Sequence, residues 1–232
     1  MDLRTYYNKT YQGLERPEQI HPSESLVEFL EFISEKFSFK DLPPRKTLVL
    51  GSGLGALLPS FLKHCCWPTC LDFSESAVKV AEKNHGQGPV EFICENLISF
   101  CRPKEFEFIF DSHLFHCLTV PEERKKSYSN VFESLESGGL FALECMVRTK
   151  ETTVERDFFL DEQGVFWQVL DETVVPTRKI NTALETENEI LDSGFQIEYL
   201  MVHSEKKIIP HSRRSEVLPT DPEIMRIIAR KP

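Results

Sequence analysis

The stretch TLVLGSGLGALLPSFL, Thr47 to Leu62, sets three glycines at every second position between β-favouring residues and an apolar segment with helical spacing. Gly51, Gly53 and Gly55 leave the backbone bare where a strand hands over to a helix, so a ligand can lie against it, near free helical N–H groups. Tight helix–strand packing explains such glycines equally well. Asp72 ends the next apolar run, TCLDF, about twenty residues on, where an acid accepts hydrogen bonds from the 2′- and 3′-hydroxyls of a ribose. Its competing role is to cap the helix that starts near Ser74 or Glu75. Phe73 is placed to lie against an adenine, and Glu95 or Asn96, at the end of a third run, to read its edge. A fourth run, FEFIFDSHLFHCL, carries Asp111, Ser112, His113 and His116. A carboxylate beside two imidazoles can orient a ligand or move a proton.

The elements that must position these residues alternate. KTLVLG, TCLDF, VEFICEN, FEFIFDS and GGLFALECM read as strands, with helices between them at ALLPSFLKH, SESAVKVAEKN and near PEERKKSYSNVFESLES. TALETENEILDSGF is a helix closed by Gly194, and QIEYLMV and EIMRIIAR are strands with no helical pattern between them. The expected fold is therefore α/β: a doubly wound, mostly parallel seven-stranded sheet with an antiparallel last strand. A helix opened by Ser23 precedes it, with Leu26, Phe29, Leu30, Ile33 and Phe37 on one face. Residues 1–45 are expected to cover the site and 46–232 to form the core. Residues 146–180 interrupt the alternation, carrying Phe158, Phe159, Phe166 and Trp167 around a turn at DEQG. So long a connection is uncommon without a function.

Nicotinamide dinucleotides and S-adenosylmethionine both satisfy the glycine–acid pattern. The spacing here is G-x-G-x-G, with Leu57 and Leu58 near where a dinucleotide loop carries its third glycine, and the loop follows a long helix. From Lys46 to Phe195 the chain resembles the class I S-adenosylmethionine-dependent methyltransferases. VLGSGLG is similar to their first motif, LDFSESAVKVAEKN to the ribose-holding second, and FICENL to the adenine-contacting third, with Asn96 where many members carry Asp. FEFIFDSHLFHCL and LESGGLFAL are similar to the fourth and fifth. The resemblance implies S-adenosyl-L-methionine as cofactor, bound by Tyr11, Gly51, Ser52, Gly53, Gly55, Asp72, Phe73, Asn96, Leu97, Asp111 and Ser112. FDSHLFHCLTVPEERKKSY and the closing MRIIARKP resemble small-molecule members, the thiopurine and tellurite methyltransferases, which implies a thiol or other soft nucleophile as acceptor. Asp111 and His116 are then the catalytic candidates. His113, Arg148, Phe158, Phe159, Trp167 and Arg178 are candidate substrate contacts, the last group as an aromatic lid in which Arg148, Arg156 or Arg178 reads an acid. The position two before the first glycine, acidic in many members, is Val49 here, so backbone carbonyls or Asp111 must hold the cofactor's amino end. The alternatives are a protein methyltransferase and a non-catalytic adenosyl-binding subunit.

Composition narrows the partners. Against 37 acidic side chains stand 27 basic ones, a formal charge of −10, which opposes a general nucleic-acid platform, although Arg213 and Arg214 allow a local basic patch. No apolar run is long enough for a membrane span, and Met1 to Lys9 has no apolar signal core. Seven cysteines, several in apolar runs, fit reduced thiols in a cytoplasmic protein. HCCWPTC lacks the paired spacing of a metal site, so no metal is expected.

Overall fold

A computed structural model of the chain describes residues 3–12, 20–64, 66–155, 158–170, 172–211 and 214–232. Helix α1 (Leu3–Tyr11) comes first, then α2 (Glu24–Lys36), whose N-cap Ser23 accepts from the Leu26 N–H. The glycine loop joins β1 (Arg45–Leu50) to α3 (Leu58–Lys63). There follow β2 (Cys66–Asp72), α4 (Glu75–His85), β3 (Glu91–Cys94), β4 (Phe106–Asp111), α5 (Pro121–Ser134) and β5 (Leu135–Val147). The 146–180 region folds into β6 (Phe158–Leu160), β7 (Val165–Leu170) and β8 (Thr173–Lys179), a separate antiparallel sheet in the order β6-β7-β8. Helix α6 (Ala183–Asp192), opened by a Thr182–Glu185 capping box, leads to β9 (Gln196–Lys207) and β10 (Glu223–Arg230).

The main sheet has seven strands in the order β3-β2-β1-β4-β5-β10-β9. β1 pairs in parallel with β2 on one side and β4 on the other, so the strand order reverses at β1. β10 runs antiparallel to both β5 and β9, in agreement with the expected antiparallel last strand. Side-chain alternation along β1 assigns the two faces. Leu48 and Leu50 enter a core with Tyr128, Val131 and Phe141, while Val49 enters another with Phe29, Ile33, Phe61 and Phe110. The α2 face expected from periodicity is buried at Leu26, Phe29, Leu30 and Ile33, with Phe37 only partly buried.

Two boundaries differ from the sequence reading. The helix read over ALLPSFLKH is confined to Leu58–Lys63, because the glycine loop turns as far as Leu57. β5 begins at Leu135, ahead of the Gly-Gly turn, since Leu135 already pairs with Phe106. The register Leu50↔Asp111 brings the carboxyl ends of β1 and β4 level, and the Ser112 N–H donates to the Leu50 carbonyl at 2.9 Å. The glycine loop and the His113–His116 segment are thereby neighbours at the sheet's switch point.

Candidate active site

The loop after β1 is held by short bonds. The Gly51 N–H donates to the Leu71 carbonyl at 2.9 Å. Gly51 has φ +64°, and a Cβ there would stand 2.9 Å from the Leu114 Cβ, so only glycine lets the two loops close on each other. At Gly55 a Cβ would meet the Leu58 side chain at 2.9 Å, so the third glycine serves helix packing; it does not line the cavity described below. Asp72 accepts from the Gly53 N–H through Oδ2 and from the Ser74 N–H through Oδ1, both at 2.9 Å. The α4 cap is Ser74, whose Oγ accepts from the Ala77 N–H, and not Asp72. Burial pushes the Asp72 carboxyl up, against the backbone N–H groups that favour its charge. Ser74 Oγ also donates to Asn8 Oδ1 at 2.7 Å, which anchors α1 over this end of the sheet. In the β3 loop the Asn96 Oδ1 accepts from the Ile98 N–H, and Asn130 Nδ2 ties down the Leu97 and Ile98 carbonyls.

The segment after β4 is built differently from expectation. Asp111 is fully buried, and its Oδ1 accepts from the N–H groups of Leu114 and Phe115, fixing the 3-10 turn Phe115–Cys117. Its Oδ2 has no partner, and burial pushes its pKa up to about 7. Asp111 is not among the residues that line the cavity described below, and its Oδ1 shapes the loop. His116 lines the wall but is almost wholly buried, and burial pushes its pKa well below the usual histidine range, with Arg178 and His113 adding to the effect. It is therefore neutral near pH 7 and poorly suited to taking a proton. His113 is placed otherwise. It lines the cavity with φ +65°, uncommon for a residue with a side chain, and its Nε2 lies 2.9 Å from Glu144 Oε1. The other Glu144 oxygen accepts from Arg226 Nε and Ser25 Oγ, each at 2.8 Å. Burial opposes the charge of Glu144, but these donors outweigh it and keep its pKa below the usual value. An ionised carboxylate only accepts, so His113 presents an Nε2–H to Glu144.

One cavity of about 790 Å³ joins the two halves. Of the residues read from the sequence it gathers Tyr11, Gly51, Ser52, Gly53, Asp72, Phe73, Asn96, Leu97, Ser112, His113, His116 and Arg178. Tyr7 lines it too, with its hydroxyl 3.6 Å from Cys117 Sγ. Arg148, Phe158, Phe159 and Trp167 are not brought in. Arg148 faces Glu185 at 3.3 Å, Phe158 stacks on Phe166 and His211, Trp167 Nε1 donates to Asp161 Oδ2, and Phe159 is 59% exposed. Phe158 and Phe166 pack the small sheet against Met146, Ile208 and His211, and of the described candidate contacts within residues 146–180 only Arg178 lines the cavity. Arg156, Arg213 and Cys65 lie outside the described residues. The described cysteines are thiols, and the described residues contain no group of three or more metal-ligating side chains.

Residues 48–143 match the family model of a methyltransferase domain. Over those residues the chain carries a methyltransferase domain. Among solved structures it is similar to the PH0226 protein of Pyrococcus horikoshii OT3 (16% identity, all of both chains covered, TM-score 0.69). It is also similar to the 1,6-didemethyltoxoflavin-N1-methyltransferase of Burkholderia thailandensis, solved with 1,6-didemethyltoxoflavin and S-adenosylhomocysteine bound (13% identity, 99% of this chain and 87% of that one, TM-score 0.66). A third similar structure is an S-adenosylmethionine-dependent methyltransferase from Methanosarcina mazei (20% identity, 82% and 93% covered, TM-score 0.62). At these identities the likeness is one of fold. No curated protein matches the chain.

The residues of the methyltransferase domain fit its cofactor, S-adenosylmethionine. Asp72 spends one acceptor position of each oxygen inside the protein and lines the cavity with the remainder. A Cβ at Gly53 would meet only the Tyr11 hydroxyl, at 3.5 Å, so the loop is open there. Val49 is buried in the apolar core and offers no acid to an ammonium group. Sequence reasoning missed Glu144 and Arg226. Each is a charged residue inside an apolar strand run, ECMV and IMRIIA, and the register pairs them directly.

Proposed function

We propose that the domain methylates a small-molecule acceptor held between the β4–β5 end of the sheet and α1. The observation that carries this reading is the single cavity running from Asp72 and Gly53 to His113 and Arg178, deep enough to enclose two ligand portions. Asp72 would hold the ribose hydroxyls, Asn96, Leu97 and Phe73 the adenine, and Gly51, Gly53 and Ser112 the amino-acid portion. S-adenosylmethionine supplies, when bound, a methyl group activated by a sulfonium. The chain's own residues align the acceptor and exclude water. Residues 1–45 act as a cover in this reading, with Tyr7 and Tyr11 over the cavity.

His113 is the better candidate for proton removal. Its Nε2–H is fixed on Glu144, so in the neutral ring Nδ1 would be the atom that accepts a proton from a thiol or phenol. A thiol, whose ordinary pKa is near 8.5, is the acceptor that the resemblance to thiopurine and tellurite methyltransferases favours. A cytoplasmic setting accords with unbridged thiols, and no described helix is long and apolar enough to cross a membrane. The test is transfer of labelled methyl from S-adenosylmethionine to a panel of thiols, phenols, amines and small acids. Product on a small molecule supports the reading. Labelling of protein alone, or cofactor binding with no transfer to any acceptor, overturns it.

A further inference from the structure

Arg178 is a cation in an unusual position. It projects from β8 into the cavity beside the turn Phe115–Cys117. One guanidinium nitrogen donates to the Thr177 carbonyl at 2.7 Å. Its Nε is buried with no partner among the described residues. Among the described residues no carboxylate pairs with it, and burial holds the neighbouring Tyr7 phenol protonated, its pKa pushed up. Arg148, in the connection after β5, already has its acid in Glu185. A half-buried guanidinium at the wall of a cavity with no described carboxylate beside it is open to an anion, and its fork of N–H groups matches a carboxylate in two parallel bonds.

We infer that the acceptor carries a carboxylate, bound by Arg178, on an apolar body that lies against Met146, Leu118 and Ile208. These three side chains line the same cavity as His113 and Cys117. The sheet order separates this anion site from the cofactor's. Asp72 closes β2, the glycine loop follows β1, and Arg178 stands beyond β4, next to the turn that carries His116. The inference rests on the methyl-transfer reading above and names the class of its substrate.

The probes are benzoate and 2-mercaptobenzoate against their neutral amides, titrated by calorimetry into protein saturated with S-adenosylhomocysteine. In the wild-type protein each acid should bind at least about tenfold more tightly than its amide. Arg178→Gln should shrink that preference to within about twofold and leave S-adenosylhomocysteine affinity unchanged, while Arg178→Lys should keep part of it. Equal binding of acid and amide, no binding of either acid, or a preference that survives Arg178→Gln would overturn the inference. The wild-type comparison decides even if a variant fails to fold. If Arg178→Gln instead loses S-adenosylhomocysteine, Arg178 belongs to the cofactor and the inference fails while methyl transfer stands. If the wild-type protein does not bind S-adenosylhomocysteine, the methyl-transfer reading fails first.

Discussion

Replacing Asp72 with asparagine separates a ribose contact from a merely structural acid. A carboxylate offers about four acceptor positions. Two are used inside the protein, by Gly53 and Ser74 at 2.9 Å, which leaves two for ribose hydroxyls. The asparagine amide accepts on one side only and sets its NH2 group against one of those N–H donors. One hydrogen bond to a charged acceptor is lost, about 1.5–3 kcal/mol, so the Kd for S-adenosylhomocysteine should rise about 10- to 150-fold. The ligand-free protein should also lose stability, because one of the Gly53 and Ser74 N–H groups is left without its acceptor, a cost of about 1–3 kcal/mol offset in part by removing a charge that burial disfavours. The two effects can be read in one experiment, thermal unfolding with and without ligand. At a ligand concentration of about 100 times the wild-type Kd, bound ligand adds about 2.7 kcal/mol to the wild-type protein, and about 0.4 kcal/mol to a variant that binds 100-fold more weakly. Titration calorimetry gives the affinities directly. If Asp72→Asn binds as tightly as the wild-type protein, the carboxylate only braces the loop and the ribose lies elsewhere.

His113→Ala should slow methylation of an acceptor that must lose a proton by about a hundredfold, with S-adenosylhomocysteine affinity unchanged, and the deficit should close at pH values where the acceptor ionises unaided. Glu144→Gln should act in the same direction by a smaller factor; a pH–rate profile identical to wild type in both variants would remove the pair from the chemistry. Asp111 holds a proton in the folded state, with a pKa of about 7 against an ordinary 3.8, that the unfolded chain loses earlier, so its contribution to stability falls as pH rises between those values, by at most about 4 kcal/mol. Asp111→Asn should flatten that part of the profile, as chemical denaturation at pH 4.5 and pH 7 will show; an unchanged slope would mean the group is charged in the native protein. Phe159→Ala, at a position 59% exposed and away from the cavity, should leave turnover within about twofold. A large loss in a steady-state assay would restore the aromatic lid.

What the sequence made legible is local. The strand–glycine–helix transition, the acid closing β2 and the Ser23 cap each depend on a few neighbouring residues, and each appears in the structure where expected. The Asp111 side chain is also local, yet it was misread. An acid followed by a tight turn bonds its own backbone a few residues on, and that competing use took the Oδ1 assigned to ligand. The His113–Glu144–Arg226 connection could not be read from spacing. It depends on the antiparallel register of β10 on β5, which sets Arg226 opposite Glu144, and on a left-handed backbone at His113. The choice among the arginines of the inserted region was equally non-local. Arg148 is claimed by Glu185 of the α6 capping box, whereas β8 carries Arg178 past the Phe115–Cys117 turn. Long-range pairing decided both cases, and single-sequence periodicity has no access to it.

The most direct measurement is a crystal structure of the protein with S-adenosylhomocysteine bound. The ribose hydroxyls are expected within about 3 Å of the Asp72 carboxylate, with the adenine beside Asn96 and Leu97 and the sulfur facing the part of the cavity lined by His113 and Arg178. A ligand seated away from the Gly51–Gly53 loop, or one whose sulfur points away from His113 and Arg178, would contradict the placement of methyl transfer in this cavity.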